Sequence, residues 1–159
     1  MKKIITLMMA LILLGACSTQ KTSDLIEVTA TTTMIHDLVE QIGKDKVNVT
    51  GMMKAGVDPH SYKARPSDVM AIDNADIVAY NGVHLEAKLV DIFDSLKDQG
   101  TFLIKLEDGI DPTRLIGEGD GIHDPHIWFD VELWRESAIY VAQMLSTYDA
   151  SSKDYYQAN

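Results

Sequence analysis

The chain has 159 residues, of which 46% are hydrophobic and 24% charged, and a formal net charge of -10. That is the balance of one folded domain with its own core, and it excludes a disordered tether. The acidic surplus excludes the basic face that nucleic acid needs, and the single cysteine excludes an internal disulfide.

The chain opens on Met1-Lys2-Lys3, and a nearly unbroken apolar run follows over residues 4–14. Leu14-Gly15-Ala16-Cys17 comes next. A basic start, an apolar stretch too short for an ordinary membrane span and small residues before a cleavage point describe a secretory signal. Leu-Gly-Ala-Cys resembles a bacterial lipobox, which implies that residues 1–16 are removed and that Cys17 carries the lipid. Several acyl chains would then hold the protein on a membrane. Residues 17–24 have no apolar period and read as the lipid-anchored tether.

Residues 25–29 are β-rich and predict a first strand. Thr31-Thr32-Thr33 offers an N-cap, and Met34, Ile35, Leu38, Val39 and Ile42 recur at helical spacing up to Gly43, placed to end the helix. His36, on the flank of this helix, reads as a surface or interface histidine. Residues 47–53 predict a second strand and residues 54–63 a loop. Arg65-Pro66-Ser67-Asp68 starts a second helix, with Val69, Met70 and Ile72 as its apolar side. Residues 77–80 are short, apolar on both faces and suited to a parallel sheet. Asn81-Gly82 leads into a third helix marked by Leu85, Leu89, Ile92, Phe93 and Leu96 and closed by Gly100. Residues 102–106 predict a fourth strand and residues 107–121 a Gly/Asp-rich loop. Asp130 caps a last helix carrying Leu133, Trp134, Ala138, Val141 and Leu145.

Alternating strands and helices predict an α/β layered domain with a mainly parallel sheet and flanking helices. In such sheets ligands gather beyond the carboxyl ends of the strands. One tripeptide stands out there because it occurs twice, as Asp58-Pro59-His60 and Asp124-Pro125-His126. Proline stiffens the approach to each ring, and imidazole is the commonest metal-binding side chain. Both loops follow predicted strands, so the fold brings His60 and His126 to one edge, around one divalent metal. The alternative is two unrelated surface turns. Asp58 and Asp124 either orient the loops and rings or serve as simple Asp-Pro turn residues.

Three segments carry a family likeness: 56–68 with the first tripeptide, 75–86 with Asn81-Gly82-Val83-His84-Leu85-Glu86, and 124–130 with the second tripeptide. Together with the lipobox they resemble the metal-binding lipoproteins of zinc, manganese and iron ABC importers, also called adhesin-type lipoproteins. The resemblance implies an extracytoplasmic receptor, anchored to the cell membrane through Cys17, that captures a divalent transition metal and passes it to a cognate ABC permease. It implies no enzyme, no nucleic-acid partner and a monomer. Carried over by position, it makes His60 and His126 the ligands; His84 and Glu86 fall in a matching segment without a ligand role, and His123 is no more than a chance neighbour.

The family has two lobes joined by a long helix, with further ligands from the second lobe. Residues 25–148 are therefore expected to be the N-terminal lobe, and residues 149–159 the start of a truncated connecting helix, so that the chain is a fragment. Two imidazoles alone should bind weakly and with little selectivity. The metal is manganese, zinc or iron; the absence of histidine from residues 107–121 favours manganese. Two other classes compete, a surface adhesin and a metal-dependent hydrolase. The second lacks His-Glu-x-x-His and Gly-x-Ser-x-Gly motifs.

Overall fold

The computed structural model describes residues 25–119 and 122–159. The expected signal, tether and Cys17 lie outside the described residues. Four strands run parallel: β1 (Ile26–Ala30), β2 (Val47–Gly51), β3 (Ile77–Tyr80) and β4 (Phe102–Lys105), in the order β2-β1-β3-β4. The α/β class and the parallel sheet are as the sequence predicts.

Side chains alternate across the central strands and fill two apolar layers. Val28, Ala30, Ile77, Ala79 and Ile104 face one layer; Val78 faces the other. The first layer is covered by α1 (Thr33–Gly43) and by α4 (Val131–Tyr148), through Ile35, Val39, Leu133, Val141 and Leu145. The second is covered by α2 (Pro66–Asp73) and α3 (Val90–Asp98), through Ile72, Phe93 and Leu96. Burying each such aliphatic or aromatic side chain is worth about 1.5–3 kcal/mol. Among the described residues no helix is long and apolar enough to cross a membrane.

The helix starts are set by local chemistry. Thr32 Oγ1 accepts from the Ile35 N–H at the head of α1. Asp130 Oδ1 accepts from the N–H groups of Glu132 and Leu133 (2.8 and 3.1 Å) at the head of α4.

The structure corrects several local expectations. Gly43 does end α1, as expected, but with an ordinary helical φ of -80°; the positive φ (45°) falls on Lys44. Gly43 is glycine for room: a Cβ there would lie 2.4 Å from a Val47 methyl. On α2, Val69 and Met70 are 44% and 65% exposed, because Asp68, and not an apolar residue, takes the inward position beside Ile72. The third helix begins at Val90 and not near Leu85; Gly82, Val83 and His84 all have positive φ (80°, 49° and 61°), which no helix tolerates. Leu85 and Leu89 are still buried. The Gly/Asp-rich loop folds into two 3₁₀ turns (Leu106–Gly109 and Pro112–Arg114) and an antiparallel ribbon of β5 (Gly117–Gly119) with β6 (Ile122–His123).

After α4, Asp149 organises the chain's turn into α5 (Lys153–Ala158). Its Oδ1 accepts from the backbone N–H (3.1 Å) and hydroxyl (2.5 Å) of Ser151, and its Oδ2 from the Tyr156 hydroxyl (3.0 Å). Tyr156 is buried in the first layer, and Asn159 donates to the Ile42 carbonyl (2.9 Å).

Two predictions follow from this packing. A Cβ at Gly109 would lie 2.3 Å from the Tyr140 Cβ on α4, an atom with no freedom to move aside. Gly109→Ala should therefore lower stability by about 1–3 kcal/mol in a denaturant titration. Hydroxyl donation from Ser151, Ser152 and Tyr156 holds the Asp149 carboxyl down to about 2. A depressed acid contributes stability that is complete above its unfolded value of about 3.9 and fades as pH falls toward 2. Asp149→Asn should flatten the stability curve in that window and leave its shape at neutral pH unchanged.

Candidate metal centre

The order β2-β1-β3-β4 means that the chain steps to one side of β1 and then crosses to the other. The crevice of a doubly wound sheet opens where that reversal occurs, beyond the ends of β1 and β3. Thr31 follows β1 there and Asn81 follows β3. Between them sits Glu86, 2% exposed. Its Oε1 accepts from the Thr31 hydroxyl (2.7 Å) and the Asn81 N–H (2.9 Å), and its Oε2 accepts from the Gly82 N–H (3.2 Å). Burial pushes the Glu86 carboxyl up, and those donors oppose the push without cancelling it.

Asn81, 1% exposed, passes this anchor onward. Its amide donates to the Pro125 carbonyl (3.0 Å), one residue before His126. The first tripeptide is held by a different device. Met53 N–H bonds to the Thr31 carbonyl (3.0 Å), which extends the β2 side of the sheet past its last strand residue. The Tyr62 hydroxyl donates to Asp68 Oδ2 (2.5 Å), the Arg65 N–H donates to the same oxygen (2.7 Å), and the Arg65 guanidinium reaches the Met52 carbonyl (3.0 Å). Burial pushes Asp68 up, but these donors outweigh it and hold the carboxylate below its ordinary range. The ends of the loop that carries His60 are thereby fixed.

The two loops bring the histidines together. His60 Nε2 lies 3.4 Å from His126 Nε2, with ring centroids 5.4 Å apart and planes inclined at 58°. At 3.4 Å the pair is too long for a good hydrogen bond. It fits a different purpose: two imidazole nitrogens each about 2.0–2.1 Å from one tetrahedral ion lie roughly 3.3–3.4 Å apart.

The two aspartates act differently. Asp124 Oδ1 accepts from the His126 N–H (2.9 Å) and pairs with ring Nδ1 (2.5 Å). That contact places the proton on Nδ1 and leaves the Nε2 lone pair free to face His60. The His126 N–H, and then its ring, hold the Asp124 carboxyl below its ordinary value. Asp58 instead accepts from the Ser61 hydroxyl (2.7 Å) and the His60 N–H (3.0 Å), and the same two contacts lower it. So Asp58 shapes the turn and Asp124 orients a ring. Trp128 stands edge-on to His126 at 5.3 Å.

The remaining histidines are elsewhere. His36 pairs with Glu40 (3.5 Å) on α1. His84 lines a separate cavity of about 230 Å³ with Tyr80, Phe93 and Lys105. His123 lies in β6. Among the described residues no group of three or more His, Cys, Asp or Glu side chains is arranged to hold a metal; the rings of His60 and His126 stand together as a pair. The anchoring by Asn81 and Glu86 escapes a reading of the residues alone. The one signal was a carboxylate five positions after Asn81, and nothing in its spacing marks it as buried.

Residues 28–159 match the sequence profile of the family described as "ZnuA: Zinc-uptake complex component A periplasmic". The manganese-binding lipoprotein MntA of Bacillus subtilis is 42% identical over 122 residues, covering 76% of this chain and 40% of that protein. The manganese ABC transporter substrate-binding lipoprotein PsaA of Streptococcus pneumoniae is 32% identical over 174 aligned positions, covering 100% of this chain and 56% of the relative. The solved structure of the periplasmic zinc-binding protein TroA from Treponema pallidum superposes with a TM-score of 0.78 at 34% identity, over 82% of this chain and 47% of its own. The chain thus spans about half the length of the curated relatives it matches. With the matched profile running from β1 to the last residue, this chain belongs to the ZnuA family of metal-binding substrate-binding proteins.

Proposed function

We propose that this chain forms the histidine-bearing lobe of an extracytoplasmic, lipid-anchored receptor that captures a divalent transition metal for an ABC importer. One observation carries the reading: two Nε2 atoms 3.4 Å apart, one of them with its tautomer set by Asp124. His60 and His126 are the ligands, and Asp124 is the residue that orients one of them. Cys17 is the lipidation site, residues 1–16 the signal and residues 17–24 the tether. Residues 25–148 are the lobe and residues 149–159 lead toward a connecting helix. The cognate permease is the partner that takes the metal.

Two imidazoles do not choose among manganese, iron and zinc, since selectivity rests on the number, softness and geometry of all the donors. Manganese is the favoured cargo. Its support is the histidine-free sequence 107–121, and the 42% identity to a relative named for manganese. A non-enzymatic role agrees with the relatives, which are named as metal-binding transport lipoproteins, and with aspartates that hold turns and a ring: Asp124 through His126, Asp58 through Ser61 and His60.

The test is uptake in cells whose chromosomal copy carries His60→Ala or His126→Ala. Both variants should lose metal-limited growth and manganese accumulation while the protein remains folded and membrane-bound. Undiminished accumulation in either would overturn the assignment. Asp124→Asn should leave both rings in place and weaken metal binding by roughly 10- to 100-fold, the usual consequence of losing a ligand's orienting partner. Isothermal titration of wild type against Asp124→Asn checks that figure.

A further inference from the structure

Among the described residues, the only consecutive run of positive φ follows β3. Gly82, Val83 and His84 have φ of 80°, 49° and 61°. Glycine takes that region freely; histidine takes it uncommonly, and for a β-branched valine it is an outlier. Such a turn persists only where its surroundings over-determine it, and strain of this kind gathers at functional sites.

The surroundings here come from the neighbouring strand. Glu107, two residues past the end of β4, accepts from the Val83 N–H through Oε2 (2.7 Å), and its own N–H donates to the Asn81 carbonyl (3.1 Å). Lys105, the last residue of β4, holds the same Oε2 (2.7 Å). The pair lies directly against the turn: a Cβ at position 82 would stand 2.7 Å from Glu107 Oε2 and 2.8 Å from Lys105 Cε. Burial works against the Glu107 carboxylate, but Lys105 and the Val83 N–H outweigh it and hold the group below its ordinary range. Val83 is buried, so its N–H depends on that acceptor.

The turn matters because of where it sends the chain. It closes with the Leu85 N–H on the Gly82 carbonyl (2.9 Å) and returns Glu86 to the strand end that the chain has just left. There Glu86 meets the N–H groups of Asn81 and Gly82, and Asn81 meets the Pro125 carbonyl. A right-handed continuation would open a helix, in which side chains meet neighbours three and four positions away and not the N–H five positions back.

We propose that Glu107, braced by Lys105, is a positioning residue for the metal centre: it holds the left-handed turn that places Glu86 and Asn81, and through them His126. The inference rests on the metal-binding role proposed above. Glu107 acts through the backbone of the turn, and its charge is not what the ion feels.

The full chain, purified in mild detergent, is titrated with zinc by calorimetry, because nitrogen sites bind zinc more tightly than manganese or iron. Glu107→Ala should weaken zinc binding by roughly 10-fold, the lower end of what losing a supporting contact behind a ligand costs. Glu107→Gln keeps an oxygen for the Val83 N–H and drops the charge, so it should recover most of that loss. The decisive variant is His84→Gly. His84 is exposed, and glycine adopts the left-handed conformation without steric cost. Added to Glu107→Ala, it should restore most of the affinity, because the turn then needs less holding. Without metal, amide exchange at Asn81 should quicken in Glu107→Ala and slow again in the double variant. A Glu107 that served stability alone would lower the denaturant midpoint and leave the zinc affinity of the folded chain at its wild-type value.

Unchanged zinc affinity in Glu107→Ala, with His60→Ala abolishing binding, overturns the positioning role and leaves the receptor role standing. A loss that His84→Gly does not relieve overturns the turn as its route; if Glu107→Gln shows the same loss, the carboxylate charge is what acts. Zinc binding unchanged by His60→Ala removes the site and the positioning role with it.

Discussion

A carboxylate with almost no access to water holds the ends of two strands in place. Glu86 accepts from a side chain after β1 and from two backbone N–H groups after β3, where the strand order reverses. Removing it would leave those donors buried without partners, at a cost of about 1–3 kcal/mol each. The site inherits this rigidity through one relay. Asn81 receives its position from Glu86 and gives it to Pro125, and proline transmits it to His126 with few internal degrees of freedom. Protein and site are coupled here, because the bonds that close the switch crevice also aim a ring.

The first histidine depends on a second, independent anchor. Tyr62, Arg65 and Asp68 form a compact knot around the Met52 carbonyl, and Asp68 is drawn inward to serve it. That inward turn is why α2 offers so little apolar surface to the core. Stability of the helix is exchanged for fixity of the loop before it. The two anchors share only the strand ends, at Thr31, whose carbonyl takes the Met53 N–H and whose hydroxyl reaches Glu86.

Much of the fold was legible because its signals are local. The apolar run of β3, the Thr32 cap, the Arg65-Pro66 helix start and the Asp130 cap each act within a few residues, and each stands where the sequence places it. The errors come from effects that no local window contains. Leu85 and Leu89 have helical spacing, yet Gly82, Val83 and His84 are held left-handed by partners far along the chain: Glu107 takes the Val83 N–H at 2.7 Å. Gly43 ends its helix as the sequence suggests, but the reason it is glycine, room for Val47, lies in the packing. The ribbon of β5 and β6 was hidden by glycines and acids that ordinarily mark a loop. For the candidate site, the doubled tripeptide marks the two rings that the fold brings together, while their spacing and the unequal contacts of Asp58 and Asp124 arise only from tertiary packing.

That inequality has a kinetic side. One imidazole is clamped by a carboxylate at its back, whereas the other is tied to its turn through the main chain, with both oxygens of Asp58 already spent on Ser61 and the backbone. Rotation about the side-chain bonds of His60 breaks no bond to Asp58. In the proposed receptor, an arriving ion would meet one donor held from behind by a carboxylate and one held only through its turn. On that reading, grip and release would fall to different residues.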